Sequence, residues 1–398
     1  MKKIIISGTG CSLIDNLFNN LDFSSDIFKR YLSKSAGDGG LKPGQLVFTE
    51  EFEQFAGEDI NTILSKLIGN RPPDAYNVGG PAIVALINAA QLTHELGTVV
   101  NFYGARGEDV NGEHIMELLA KTPVNISSYK VTGKPTPYTN VLSDPGYDNG
   151  HGERTFINNI GAAWDFFPGD LDDDFFASDI VVFGATALVP NLHDNLTSLL
   201  KEAKQNGCIT VVNTVYDFRN EKRNPDKKWP LGESDETYRY TDLLITDHEE
   251  ALRLSGKGNI EDAAEFFISQ DTGSIAITHG VNPVMIYSSG KFFKPQPLIK
   301  IPVSEKIRIM LREHPELAGD TTGCGDNFAG GMIASLAMQI HKGVENPDIS
   351  EATLWGIASG GFACFYVGGT WFEKDKGEKL REIIPIYNDL AGRKQPDV

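Results

Sequence analysis

Cysteine is scarce in this chain: four among 398 residues, at positions 11, 208, 324 and 364, with no Cys-x-x-Cys pair. That spacing indicates no zinc site. A reducing compartment is the simpler reading of so few scattered thiols, and a cytoplasmic protein is expected. No apolar run is long enough to cross a bilayer. The basic start Met1-Lys2-Lys3 is followed by only three isoleucines. A secretion signal needs an apolar core of about 7–15 residues. The start therefore reads as a strand, and the sequons at Asn125 and Asn195 as chance matches. Basic charge is in deficit, 36 Lys and Arg against 54 Asp and Glu, for a net charge of −18. Clustered cations are what grip a phosphate backbone, so no nucleic-acid partner is expected. No Gly-x-x-x-x-Gly-Lys-Ser/Thr loop exists, which argues against a Walker-type ATPase. There is no internal repeat.

What the chain does have is alternation. Short Val/Ile-rich runs at residues 3–7, 98–103, 179–183, 208–213, 242–246 and 274–278 predict strands covered on both faces. Helical patterns fall between them, at 81–96, 112–119, 193–206 and 261–269. The repetition predicts an α/β fold, a mainly parallel central sheet in a three-layer sandwich. Two stretches break the rhythm. Residues 16–73 are polar and irregular, and residues 131–160 read as a long hairpin. We read both as parts of a small β-rich lid inserted in a single domain spanning 1–398. A charged helix is expected near 304–317, without an obvious chemical role.

The chemistry concentrates in Gly319-Asp320-Thr321-Thr322-Gly323-Cys324-Gly325-Asp326. A helical pattern follows, with Phe328, Met332, Ile333, Leu336 and Ile340 near one face. Glycines at a helix N-terminus let backbone N–H groups converge on a ligand. The helix dipole adds positive potential there. The product is an anion hole suited to a phosphoryl group in transfer. A carboxylate beside it would repel a phosphate unless its task is to take a proton from the attacking hydroxyl. Asp326 is the candidate base; an ordinary helix-capping aspartate is the bland alternative.

This segment resembles the Asp-Thr-x-Gly-Ala-Gly-Asp signature of the ribokinase-like (PfkB) carbohydrate kinases. It matches at Asp320, Thr321, Gly323, Gly325 and Asp326, with Cys324 in place of alanine. The resemblance runs in order along nearly the whole chain. The stretch from Gly10 to Asp15 resembles the first strand and turn, whose aspartate binds substrate hydroxyls. Gly79-Gly80 resembles the glycine pair shaping the sugar pocket. The stretch from Gly104 to Asp109, followed by Gly112, resembles another family segment. Asn213 falls where a phosphate-contacting asparagine stands. Asp247-His248-Glu249-Glu250 resembles Asn-x-x-Glu, which organises magnesium. Thr278-His279-Gly280 resembles the opening of the nucleotide loop. Three departures stand out: Val84 at a usual asparagine, Asp247 for asparagine, and Pro283 at a usual glycine.

The resemblance implies a ribokinase-like fold and an ATP-dependent kinase acting on a hydroxyl of a small sugar or polyol. Asp326 would be the base, and Gly323, Cys324 and Gly325 the anion hole. Asp15, Gly79 and Gly80 would bind the acceptor, Asn213, Thr278, Gly280 and Thr321 the nucleotide, and Glu250 with Asp247 Mg2+. A monovalent cation and a homodimer stay open. The lone histidines His248 and His279 read as structural, and Arg106 and Arg154 as solvated. A nucleoside kinase of the same fold is the first rival, and a neutral sugar is preferred because Asp15 suits hydroxyls and repels acids. An NAD-dependent oxidoreductase using Gly8-Thr9-Gly10 is a remote rival, because Leu13 stands where that motif needs its third glycine.

Overall fold

The computed structural model describes residues 3–392 apart from 36, 70, 151 and 320. Its strands in chain order begin with β1 (Ile5–Gly10), β2 (Leu13–Phe18), β3 (Leu46–Phe48), β4 (Ala75–Gly79) and β5 (Val99–Gly107). Next come β6 (Asn125–Thr132), β7 (Tyr138–Asp144), β8 (Glu153–Asn159), β9 (Ile180–Gly184) and β10 (Ile209–Asn213). The last are β11 (Leu243–Asp247), β12 (Ser274–His279), β13 (Asn282–Ser288) and β14 (Gln296–Ile301).

Nine strands form the main sheet in the order β14-β13-β12-β11-β10-β9-β1-β5-β6. Every pairing from β12 to β6 is parallel, and the β12–β13 and β13–β14 pairings at the edge are antiparallel. The apolar runs explain this: β9, Ile-Val-Val-Phe-Gly, is buried throughout, so it needs cover on both faces. The helices Pro81–Leu92, Cys324–His341 and Ile349–Ala363 build the core on one face. The helices Leu196–Gln205, His248–Ser255 and Ile260–Ser269 serve the other. Gly8 admits the first of these layers closely, since a Cβ there would lie 2.4 Å from Leu86.

The expected helix at 81–96 ends at Leu92, with a 3-10 turn beyond, and that at 193–206 is broken before Leu196. The charged helix forms as Glu305–Glu313, capped by Ser304 and anchored through buried Ile307.

A second sheet has the order β3-β8-β7-β2-β4. Residues 16–73 are thus less irregular than their composition suggests. They contribute β3, the second half of β2 and the helices Thr49–Ala56 and Ile60–Ile68. This sheet also takes in Leu13 and Gly79, outside the expected segments, whereas residues 131–132 end β6 of the main sheet. Its own core is Phe18, Phe28, Val47, Phe52, Ile63, Leu142 and Ile157 on one face. Side chains alternate along a strand, so Asp15, Thr139 and Asn158 occupy the other face.

Candidate active site

Parallel strands bring their carboxyl ends to one edge, and crevices at that edge hold ligands in open α/β sheets. Here β1, β9, β10, β11 and β12 end at Gly10, Gly184, Asn213, Asp247 and His279. The helix Cys324–His341 starts beside them. Its N-cap, Gly323, is left-handed with φ 75°, and a Cβ there would lie 2.5 Å from the Gly369 Cα. Gly325 has nothing within 4 Å of an added Cβ, so the hole opens at that residue. The Cys324 N–H donates to the Thr321 carbonyl at 3.3 Å, while the Gly325 and Asp326 amides have no intrahelical acceptor and can turn to an anion. Asp326 sits on this turn, its carboxyl pushed up to about 7 by burial. Burial, then the charges of Asp326 and Asp15, raise the Cys11 thiol. Thr321 is exposed at the rim, and Asp320 lies outside the described residues.

Asp15 lies on β2 rather than at the end of the first strand. Its register partners are Asn77 on β4 and Thr139 on β7, Thr139 pairs with Asn158 on β8, and Asn158 with Phe48 on β3. One row, Asn77–Asp15–Thr139–Asn158–Phe48, therefore crosses the small sheet on the face away from its own core. The four polar members are buried, and Asn158 Nδ2 donates to Thr139 Oγ1 at 2.9 Å. Leu13 and Phe48 meet Cys11, Ala185, Leu188 and Phe218 of the main body. Phe48 and Phe218 are edge to face at 5.6 Å. Gly79 and Gly80 allow the chains to approach: a Cβ on Gly79 would lie 2.3 Å from Asp15 Oδ2, and one on Gly80 2.7 Å from the Cys11 carbonyl. Val84 is buried and faces Gly369; it belongs to the core. Arg154, expected to be solvated, instead reaches from β8 to the signature loop, donating from Nη1 to Thr322 Oγ1 at 2.8 Å.

Along the edge, Asn213 is buried and its Oδ1 has no hydrogen-bond partner among the described residues. An unmatched buried carbonyl is costly. Asp247 caps the helix His248–Ser255 in a reciprocal box with Glu250. The Glu250 carboxyl also accepts from Thr214 Oγ1 at 2.5 Å. Burial, then the charges of Asp247 and Asp326, push its pKa up to about 8. Thr278 is in register with Asp247. Gly280, φ 55°, makes the tight turn into β13. His248 and His279 stack at 4.0 Å. The Cys324 and Cys364 sulfurs lie 3.5 Å apart, a pairing absent from the sequence reading.

The sequence profile described as pfkB family carbohydrate kinase matches residues 75–374. This chain belongs to that family. The pfkB kinase is 25% identical over 338 residues to the adenosine kinase of Saccharomyces cerevisiae, covering 79% of this chain and 86% of that one. In fold it is similar to the adenosine kinase from Schistosoma mansoni in complex with 2-fluoroadenosine, with TM-score 0.68 and 16% identity over 92% and 97% of the two chains. It is similar also to the ribokinase from Thermotoga maritima, with TM-score 0.60 and 18% identity over 97% and 99%. The fold is ribokinase-like, and the protein is a phosphotransferase with a hydroxyl acceptor; the family implies ATP as donor. Among the described residues no helix is long and apolar enough to cross a membrane.

Proposed function

We propose that this kinase transfers the γ-phosphoryl group of ATP to a hydroxyl of a neutral polyol ring, with Asp326 as general base. The observation that carries the reading is Asp326 on the first turn of a helix whose left-handed N-cap, Gly323, is packed against Gly369. Asp15, with Asn77, Thr139 and Asn158 beside it, suits an array of hydroxyls. Its carboxylate disfavours acidic or phosphorylated acceptors. The attacking hydroxyl gives its proton to Asp326 while the first-turn amides receive charge developing on the phosphoryl oxygens. Arg154 adds a guanidinium suited to phosphate oxygens. It also ties the small sheet down as a lid that keeps competing water out.

Magnesium fits this edge as a water-mediated ion. Among the described residues no group of three His, Cys, Asp or Glu side chains could hold a metal. Mg2+, however, commonly keeps its waters and uses one or two carboxylates with substrate phosphates. Glu250 and Asp247 would hold it, and the ion when bound offsets charge on the ATP phosphates. Burial first, and then the charges of Asp247 and Asp326, raise the Glu250 pKa, and a bound cation would favour its ionised form. Glu250→Gln is expected to shift the magnesium dependence of ATP binding to higher concentration with acceptor binding unchanged. A magnesium titration that coincides with wild type would leave Glu250 as a helix-start carboxylate only.

A nucleoside is the second reading, favoured by the Phe48–Phe218 pair at the end of the polar row. An aromatic edge there suits a flat base, while the row binds the ribose. An ATP-consumption screen over ketoses, aldoses, sugar acids, phosphosugars and nucleosides tests both readings. If nucleosides turn over, Phe48→Ala should raise their KM about tenfold, the worth of a lost aromatic stack of ~1–1.5 kcal/mol. It should leave simple sugars unaffected. Turnover confined to phosphosugars or sugar acids would overturn the neutral-acceptor reading.

A further inference from the structure

Lys379 is almost fully buried, 1% exposed, at the start of the C-terminal helix Glu378–Gly392. A buried ammonium is costly unless it is well paired, and burial pulls this one down to about 7. Its head group meets a neutral amide, donating from Nζ to Asn327 Oδ1 at 2.8 Å. The Tyr366 ring lies on another side at 5.8 Å. Glu373, the nearest stabilising carboxylate, is engaged by the Lys379 backbone N–H at 2.9 Å.

Asn327 follows Asp326 and is fully buried. Its Nδ2 donates to the Gly323 carbonyl at 2.8 Å and to the Gly369 carbonyl at 2.9 Å. Gly323 is the left-handed N-cap of the anion hole, and Gly369 is the residue packed against it. An amide can turn over and exchange its oxygen for its nitrogen. A lysine, which only donates, permits one orientation. In the reversed one, Asn327 Oδ1 would face two carbonyl oxygens.

We propose that Lys379 is a positioning residue for phosphoryl transfer: it fixes the Asn327 amide, which pins Gly323 to Gly369 and so holds the anion hole in shape. The proposal rests on the reading of the Gly323–Asp326 turn as the site of transfer.

The test measures kcat, acceptor KM and thermal midpoint for Lys379→Met, Asn327→Ala, the double variant and Asp326→Asn. Lys379→Met is expected to lower kcat about 30-fold, within the ~10²-fold that a misplacement of about 1 Å costs. Acceptor KM should stay near wild type. The thermal midpoint should hold or rise, because replacing a buried charge by an apolar side chain of similar size is often stabilising. The double variant should be no worse than the poorer single, as for groups acting as one unit. If Lys379→Met does not fold, Asn327→Ala alone decides, with the same loss of kcat expected. Wild-type kcat in the folded variants, or losses that multiply in the double variant, would overturn the proposal while an inactive Asp326→Asn keeps the transfer site. An active Asp326→Asn would overturn both.

Discussion

Asp326→Asn is expected to cut turnover by about 10²–10⁴-fold, the usual worth of a general base, while ATP still binds. The amide keeps the shape and the helix-start position but accepts no proton. The pH profile gives an independent reading. A base must be ionised, and burial holds this carboxyl near 7. In the wild type kcat/KM should therefore climb with pH, pass its midpoint near that value and level off above it. Stability should move the opposite way. The folded carboxyl titrates near 7, above the ~3.9 of an unfolded aspartate. Between those values the folded state binds the extra proton, so the contribution of this group is present at low pH and lost as pH rises through about 7. Asp326→Asn should then melt higher than wild type in alkaline buffer, and the gap should close in acid. Turnover within a few-fold of wild type would end the assignment of the base.

Arg154→Ala is expected to lower kcat by about 10²–10³-fold, as does removal of one preorganised donor from an oxyanion-type site. Arg154 stands on β8, where its strand partner is Ser143. It faces the Phe156 ring at 5.8 Å and donates to Thr322 beside Gly323. The side chain thus brings a fixed cation to the anion hole and fastens the small sheet to the main body. Arg154→Lys should recover only part of the loss, because an ammonium lacks the planar fork. Futile ATP hydrolysis should rise relative to acceptor phosphorylation in Arg154→Ala, since a loosened lid admits water. Unchanged kcat together with unchanged coupling would reduce Arg154 to a surface strut.

The Gly319–Asp326 segment stood out as a candidate because its parts are contiguous. Glycines, a helix start and an aspartate within eight residues state their chemistry without knowledge of the fold. The lid was legible only as an interruption. β1 and β2 are separated by two residues, Cys11 and Ser12, and read as one apolar opening. They part because β1 pairs with β5 and β9, whereas β2 pairs with β4 and β7. Asn77, Thr139 and Asn158 gave no signal, since a buried polar side chain on a short strand looks like any other. Nor do β7, Tyr-Thr-Asn-Val-Leu-Ser-Asp, and β8, Glu-Arg-Thr-Phe-Ile-Asn-Asn, alternate polar and apolar residues in a way that would have told their faces apart.

The sequence by itself determined the strand–helix alternation, the net negative charge, and the glycine turn carrying Asp326. These follow from local periodicity, composition and backbone freedom, which neighbouring residues set among themselves. Only the tertiary structure decided which side chains share the cleft. Arg154 meets Thr322 across 168 positions, Lys379 meets Asn327 across 52, and Cys364 meets Cys324 across 40. Such pairs depend on strand register and on how helices and loops pack over the sheet. A shift of one residue in register turns every side chain of a strand to the other face, and burial of Phe18, Leu142 and Ile157 against the small helices fixes that choice. Asp15 looks into the cleft because its apolar neighbours on the same strand had somewhere else to go.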